Sequence, residues 1–517
     1  MRDTTAVRAI QAWAVRQPDA PALTCDSGVL TWSELTTAMD RAALRLAAAG
    51  VRHGDRVGVL GSLSTDWAIA ALGAIRMGAV LCPLNERQTQ AELSEVYRKL
   101  TPTVVVASAG SREVADLACK ETEEPPQILD AETLCSAGVD GIVSAPAGDP
   151  SDVVCIIPTS GSTGAPKGVV YTHESLLGAF FEWTLQAPEL TGARILNVSS
   201  MSFAAGLLNG FLAPLVLGGS IVMLPKWDPQ VAMSLIASER ITSMAGTTIF
   251  FEQMAALSGF GDTDLSSLKV VFVGGNPVTR GLIDAWAAKG VGLRQAYGLT
   301  ESLSMVTFPT VDLSIRKPES VGFGGILTRV EVTDADGTVC PAGTPGEIRI
   351  SGPGVAAGYW QDDALTAQTF GDGWLRTGDV GVKDDEGALR VVGRTKDVII
   401  SGGMNIYAAE LERAVLELPE VLEAAVIGVP DDEFGETPAV LIRAAGDLTG
   451  AEVVDHCRGR LSNYKTPRYV VFRDEPMPRT SSLKIDKKVL RSEYSDIPAR
   501  YDRFGRTSEA LDGGAAQ

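Results

Sequence analysis

Apolar positions recur along the chain in two periods, one helical and one of alternating residues, and the two alternate up to about residue 300. From Val29, "VLTWSELTTAMDRAALRLAAAGV" predicts a short strand and then an amphipathic helix. Leu35, Met39 and Leu46 fall on one face of that helix, Ser33 is its expected N-cap, and Gly50 closes it. "DRVGVL" predicts a buried strand, "DWAIAALGAIRMGAV" a helix and "LCPLN" the next strand. Such alternation implies an α/β fold, with largely parallel sheets covered by helices. Residues 121–151 hold turn residues without a sustained period and predict a surface connection. Leu207 to Leu224 is strongly apolar but interrupted by Asn209, Pro214 and Gly218–Gly219. It predicts a buried helix, turn and strand, not a membrane span. From 320 to 395, short segments such as "GEIRISG" and "ALRVVG" predict a β-rich subdomain. A small α+β unit follows. The expected division is a large N-terminal domain over 1–395, a small C-terminal domain over 396–498 and a disordered tail over 499–517.

Composition narrows the chemistry. The 517 residues carry 45 Lys+Arg against 64 Asp+Glu, a net charge of −19 that repels nucleic-acid backbones. Any nucleotide must be held by local devices. The seven cysteines stand apart, without metal-site spacing, as expected of thiols buried in a protein of the reducing cytoplasm. The first twenty residues lack the apolar core of a signal peptide. With three histidines and no GxSxG, a Ser-His-Asp hydrolase is poorly supported, and no GxGxxG follows a first strand.

The sharpest motif is "TSGSTGAPKGV", Thr159 to Val169, after the apolar run "VVCII". Gly161, Gly164 and Gly168 permit close backbone approach to a ligand. Backbone N–H groups and the hydroxyls of Ser160, Ser162 and Thr163 can surround phosphate oxygens, and Lys167 adds a mobile positive charge. The order is not that of a Walker loop.

At these residues the chain resembles the adenylate-forming superfamily of acyl-CoA synthetases, carrier-protein adenylation domains and luciferases, most of all an acyl- or aryl-CoA ligase. The motifs arrive in the family's order, from "LTWSEL" at 30 to "SLKIDK" near 487. The resemblance implies ATP and AMP contacts from Thr159 to Gly164, from Lys167, and from Gly275 and Asn276. In "QAYGLTES" it implies adenine stacking by Tyr297, contacts from Gly298, a phosphate contact at Thr300 and Mg²⁺ on Glu301. In "WLRTGDVG" and "GRTKDVIISGG" it implies ribose binding by Asp379 in a tight turn, a nucleotide contact by Arg394 and an interdomain hinge at Lys396, which makes the small domain mobile. Ser401, Gly402 and Gly403 match the segment that lines the thiol tunnel. Phe434 and Arg468 would meet the nucleotide of coenzyme A. Lys484 in "PRTSSLKIDK" matches the catalytic lysine, with Thr163 and Glu301 as its partners in catalysis. Phe203, Ala205, Gly206, Gly274 and Gly298 would line the acyl pocket and suit an aromatic or short-to-medium acid. The sequence departs from the family's pattern at Asn276, Met404, Ala408 and Leu483.

The implied activity is ATP- and Mg²⁺-dependent conversion of a carboxylic acid into an acyl-adenylate, then transfer to coenzyme A. Two alternatives stay open: adenylation with a carrier-protein thiol, an amine or another small nucleophile as acceptor, and a degenerate nucleotide-binding protein. A homodimer is also left open.

Overall fold

The computed structural model describes residues 4–136, 148–160, 166–275, 278–480 and 484–504. The chain separates into two compact units: residues 1–331 with 349–377, and residues 332–348 with 378–517. Lys396, expected at the boundary, lies within the second unit.

The first unit contains two seven-stranded sheets. One runs, in spatial order, through Leu293–Gln295, Val270–Gly274, Ser243–Thr247, Arg194–Asn197, Ser220–Met223, Pro21–Cys25 and Gly28–Thr31. All its neighbours are parallel except the last pair. The other runs through Gly358–Tyr359, Pro166–Thr172, Val153–Ser160, Val80–Leu84, Arg56–Leu60, Val104–Ala107 and Gln127–Asp130. It is parallel except where Pro166–Thr172 pairs with its two neighbours. Helices cover parallel strands on both faces, so those strands read as unbroken apolar runs. Val104, Val105, Val106 and Ala107 are all 0% exposed.

The helix Trp32–Ala48 buries Leu35, Met39 and Leu46 as its spacing predicts. Its cap is Thr31, not Ser33. Thr31 Oγ1 accepts from Glu34 N at 3.2 Å, and Glu34 Oε2 accepts from Thr31 N at 2.9 Å. This capping box satisfies donors at the helix start, so the helix begins one residue before Ser33 with Trp32 fully buried. The helix packs on Thr65–Arg76 through small residues: a Cβ on Gly73 would stand 2.6 Å from Ala42 Cβ.

Two expectations for surface segments are corrected. Within 121–151, Gln127–Asp130 is an edge strand paired in parallel with Val104–Ala107, and Ala131–Cys135 is a helix. Arg45 Nη1 holds that helix by donating to Thr133 O and Leu134 O. Elements this short carry no detectable period. In the tail, Ile497–Arg500 is a helix whose Ile497 is 0% exposed, and Phe504 N donates to Arg468 O at 2.8 Å. The expected tail therefore starts too early; its remainder, 505–517, lies outside the described residues.

The apolar segment after residue 200 forms a π-helix, Ala205–Leu212, a short α-helix, Ala213–Val216, and the strand Ser220–Met223. Among the described residues no helix is long and apolar enough to cross a membrane.

The second unit holds a five-stranded sheet with the order Met404–Tyr407, Val398–Ser401, Gly435–Ala444 and Val421–Asp431, with Tyr469–Phe472 also paired to Gly435–Ala444. The helices Ala408–Val415 and Gly450–Arg460 bury Leu411, Val415 and Val453 against Val426, Val440 and Ile442, all 0% exposed.

Candidate adenylate-forming site

The phosphate motif is a hairpin. Val153–Ser160 and Pro166–Thr172 run antiparallel, with Thr159 opposite Lys167 and Ser160 opposite Pro166. Gly161, Ser162, Thr163 and Gly164 lie outside the described residues. Gly168 has a packing reason: a Cβ there would stand 2.6 Å from Ile156 Cγ2. Its expected close approach is to the neighbouring strand.

Lys167 Nζ lies 5.3 Å from the centre of the Tyr359 ring, and Tyr359 Oη donates to Glu301 Oε1 at 2.8 Å. Burial first, and then the nearby Glu301 carboxylate, push the Tyr359 hydroxyl far above its ordinary range. The phenol therefore stays a hydrogen-bond donor, and Glu301 is held as its acceptor. This places the expected metal carboxylate, the motif lysine and an aromatic side chain together in the first unit. Sequence reasoning missed Tyr359, which stands 58 residues from Glu301 and carried no polar signal. Among the described residues no three His, Cys, Asp or Glu side chains gather as a metal cage. A single carboxylate fits a cation that takes its other oxygens from nucleotide phosphates and water, as Mg²⁺ does.

The turn Thr300–Ser302 ends in consecutive left-handed residues, Leu303 at φ 55° and Ser304 at φ 72°. Leu303 N donates to Tyr171 Oη at 3.2 Å, and Ala356 N donates to Glu301 O at 2.9 Å. These bonds hold a conformation that non-glycine residues rarely adopt. The Tyr297 backbone is fixed by Thr307 Oγ1, which accepts from its N–H at 2.8 Å, and by Val306 N, which donates to its carbonyl at 2.9 Å. Gly298 lies against the same turn: a Cβ there would stand 2.2 Å from Ser304 O. Gly274 ends the strand Val270–Gly274, and Gly275 follows at φ 84°. Asn276 lies outside the described residues.

Of the other expected acyl-pocket residues, Phe203 and Ala205 are partly exposed and Gly206 is buried. A Cβ on Gly206 would stand 2.1 Å from Ser200 O, which explains the glycine by packing. An apolar cavity lies nearby, walled by Trp183, Leu196, Ala245, Phe272 and Met305 with Asn209. None of the five expected residues lines it.

In the second unit, Asp379 and Arg394 are cross-strand partners, and Arg394 Nε lies 2.9 Å from Asp379 Oδ1. Asp379 is 5% exposed and sits within the strand Leu375–Lys383, not in the tight turn expected. Gly378 before it, at φ 67°, supplies a kink. Lys396 occupies a single 3-10 turn, Thr395–Asp397, pinned where Arg491 Nη2 meets Asp397 Oδ1 at 2.7 Å.

Gly402 and Gly403 form the two-residue turn of a hairpin in which Ser401 faces Met404. Both have positive φ, 57° and 80°, so the turn itself demands glycine-like freedom. Gly402 N donates to Phe434 O at 2.9 Å. The Phe434 ring carries the Arg468 guanidinium at 4.6 Å and the Arg503 guanidinium at 5.7 Å. Burial, then the neighbouring Arg503 charge, lower the Arg468 pKa from its ordinary value. Asp431 Oδ1 accepts from Glu433 N and Phe434 N, both at 3.0 Å, while Asp431 Oδ2 receives Arg503 Nε at 2.9 Å. Ser401, Gly402, Gly403, Phe434 and Arg468, scattered in sequence, are thus one cluster, and Arg503 is a member the sequence reading missed. Lys484 is exposed, and its carbonyl accepts from Thr480 N at 2.8 Å; Leu483 lies outside the described residues.

The chain matches the family model described as AMP-binding enzyme over residues 10–360, and AMP-binding enzyme C-terminal domain over residues 410–484. It is 34% identical to a long-chain-fatty-acid–CoA ligase of Mycobacterium tuberculosis, covering 90% of this chain and 93% of that protein. It is 35% identical to a feruloyl-CoA synthase of an Amycolatopsis species, covering 93% and 98%. The crystal structure of ATP-bound MatB from Rhodopseudomonas palustris superposes with a TM-score of 0.88 at 28% identity, covering 96% and 100%. A phosphate-motif hairpin beside Lys167 and Glu301, both family matches in order and relatives alike over nearly their whole length converge on one conclusion: the chain belongs to the AMP-binding enzyme family.

Proposed function

We propose that the protein is an AMP-forming acid–thiol ligase that joins a carboxylic acid to coenzyme A. The observation that carries this reading is likeness across both units to two CoA-joining enzymes, the fatty-acid–CoA ligase and the feruloyl-CoA synthase. The gathering of Lys167, Tyr359 and Glu301 supports it.

A carboxylate oxygen of the acid attacks the α-phosphorus of ATP, the bond from that phosphorus to the bridging oxygen breaks, and pyrophosphate leaves. In the second step the thiol sulfur attacks the acyl carbonyl, loses its proton, and AMP departs. Both steps spread negative charge over oxygens, so positioning and fixed positive charge carry the catalysis. Thr159 to Gly164, Thr163 among them, and Lys167 hold the phosphates. Tyr297 stacks the adenine, with Gly275, Asn276, Gly298 and Thr300 around the nucleotide. Asp379 binds the ribose and Arg394 a nucleotide oxygen. Glu301 would hold Mg²⁺, which would supply positive charge toward the phosphate oxygens. Lys484 bridges the acid and the α-phosphate. Lys396 is the hinge that replaces Lys484 with the Ser401–Gly403 turn between the two steps, and Phe434 and Arg468 take the nucleotide end of coenzyme A. The acid is aromatic or of short-to-medium length and enters beside Phe203, Ala205, Gly206 and Gly274.

The test is pyrophosphate release from Mg-ATP across a panel of acids, with and without coenzyme A. Acid-dependent release that accelerates with coenzyme A and yields a thioester is the expected result. Acid-dependent release indifferent to coenzyme A points to another acceptor, and no release with any acid overturns the reading. Replacing Lys484 by Ala should slow adenylation roughly 10²–10³-fold yet spare thiolation of a supplied adenylate; equal loss in both steps refutes its assigned role.

A further inference from the structure

In the second unit, one carboxylate fastens the stretch of chain that leads to Lys484. Residues 477–480 and 484–486 are two antiparallel arms. Arg479 faces Ile485, Thr480 N donates to Lys484 O at 2.8 Å, and Asp486 N donates to Pro478 O at 2.8 Å. The first arm is tied to Glu423, near the start of the strand Val421–Asp431. Glu423 Oε2 accepts from Met477 N at 3.1 Å, and Glu423 Oε1 accepts from Arg479 Nη2. Arg443, opposite Glu423 across the sheet, brings Nη1 to 3.5 Å from Oε2. The Glu423 side chain is only 11% exposed. Bonds of an ionised carboxylate to a guanidinium and a backbone N–H are among the stronger ones a protein makes.

The packing of that strand comes from other residues. Ala424 and Val426 bury into one hydrophobic core of the unit, and Ala425 and Ile427 into another. Met477, 3% exposed, seats the first arm against the second of these cores. Apolar burial has no direction, so it holds the arm down without fixing where along the strand the arm lies. Bonds from one carboxylate to Met477 and Arg479, alternate residues of the arm, do fix it. The second arm is anchored separately: Asp486 caps the helix Lys487–Glu493, and Lys487 Nζ meets Glu412 Oε1 at 2.7 Å. Lys484 is exposed, and its backbone is placed by these two anchors.

We propose that Glu423 and Arg479 are positioning residues for Lys484: their ion pair sets the place of the arm bonded to the lysine, and with it the rate of adenylate formation but not of thioester formation. The proposal rests on the assignment of Lys484 to the first step made above. A charge that bridges two anionic groups in a transition state acts only from the right place, and a shift of about 1 Å can cost on the order of 10²-fold in rate. Because Lys484 is replaced before the thiol attacks, a slack arm leaves the second step unaffected.

The experiment measures the two half-reactions apart, with an acid from the panel that supports pyrophosphate release. One assay is acid-dependent ATP–pyrophosphate exchange; the other is thioester formation from the supplied acyl-adenylate and coenzyme A. Glu423→Gln keeps the shape of the side chain but removes its charge and turns amide hydrogens toward the donors of the arm. It should lower kcat for exchange about tenfold to hundredfold, with KM for ATP and the rate of thioester formation both within about twofold of wild type. Arg479→Gln, on the arm and outside the sheet, should give the same split, and it carries the test should Glu423→Gln fail to fold. The double variant should be slower in exchange than the slower single variant by no more than about twofold, because both changes break one contact. Exchange at the wild-type rate in both single variants, equal losses in the two half-reactions, or losses that multiply in the double variant overturn the proposal. Lys484→Ala is measured alongside. Unimpaired exchange there would bring down the assignment of the lysine, and this inference with it. Slowed exchange there, beside normal exchange in Glu423→Gln and Arg479→Gln, would refute the positioning role alone.

Discussion

His173 shows how one buried side chain ties stability to pH. It is 6% exposed, and its Nδ1 accepts a hydrogen bond from Ala6 N at 3.2 Å. Burial lowers its pKa from 6.5 to about 4, with Asp152 opposing the shift and His53 adding to it. Below pH 6.5 the unfolded chain takes up a proton that the folded one refuses, so folding stability declines as pH falls from 6.5 and levels off below about 4. The decline attributable to this group is on the order of 3 kcal/mol. Denaturant unfolding at stepped pH should show it, and His173→Gln, which keeps an acceptor but cannot titrate, should flatten the profile. An equally steep profile in the variant assigns the loss to other groups. At the same scale, residue types had limited reach: Glu301 and Lys167 stood out within their motifs, but Tyr359, which joins them, had no local signal because its contact spans the fold.

Among elements, the helix Ile497–Arg500 and the residues after it bear on the cluster around Phe434, proposed above to take the nucleotide end of coenzyme A. Arg503 holds Asp431, Asp431 orders the turn that carries Phe434, and the Phe434 carbonyl receives the Gly402 amide. Replacing Arg503 by Ala should raise KM for coenzyme A about fivefold to tenfold through loss of a charged, partly buried contact, while acid-dependent ATP–pyrophosphate exchange stays near the wild-type rate. Matched losses in both assays would show a general folding defect instead. Elements with strong local patterns were legible from sequence. The parallel strands read as Val-rich runs, and the face of Trp32–Ala48 followed from Leu35, Met39 and Leu46. The cap of that helix was misplaced because Thr31 and Ser33 are both good capping residues, and only the reciprocal bond with Glu34 decides between them. The edge strand Gln127–Asp130 and the anchored 499–504 segment escaped because each depends on partners remote in sequence. In the second unit, the glycines read as making room for a thiol are also dictated by the two-residue turn they form.

For the molecule as a whole, the net charge of −19 opposes its own nucleotide. Mg-ATP is an anion, so at low ionic strength it approaches through an unfavourable field, and salt shortens that field's range from about 30 Å to about 8 Å. Raising the salt concentration from about 10 mM to about 150 mM should therefore increase kcat/KM for ATP a few-fold. A decrease would show that local positive charge around the hairpin that carries Lys167 dominates the approach.

The seven cysteines are free, and Cys82, Cys155 and Cys457 are buried. Burial pushes the thiols of Cys82 and Cys135 up to about 12 and that of Cys457 up to about 11. An enzyme that makes an activated acyl group holds, within its own fold, an electrophile any thiolate could intercept. Keeping Cys82, Cys155 and Cys457 protonated and inside the core withholds those three sulfurs from that electrophile, so the packing of the sheets also shields the catalyst against part of its own chemistry.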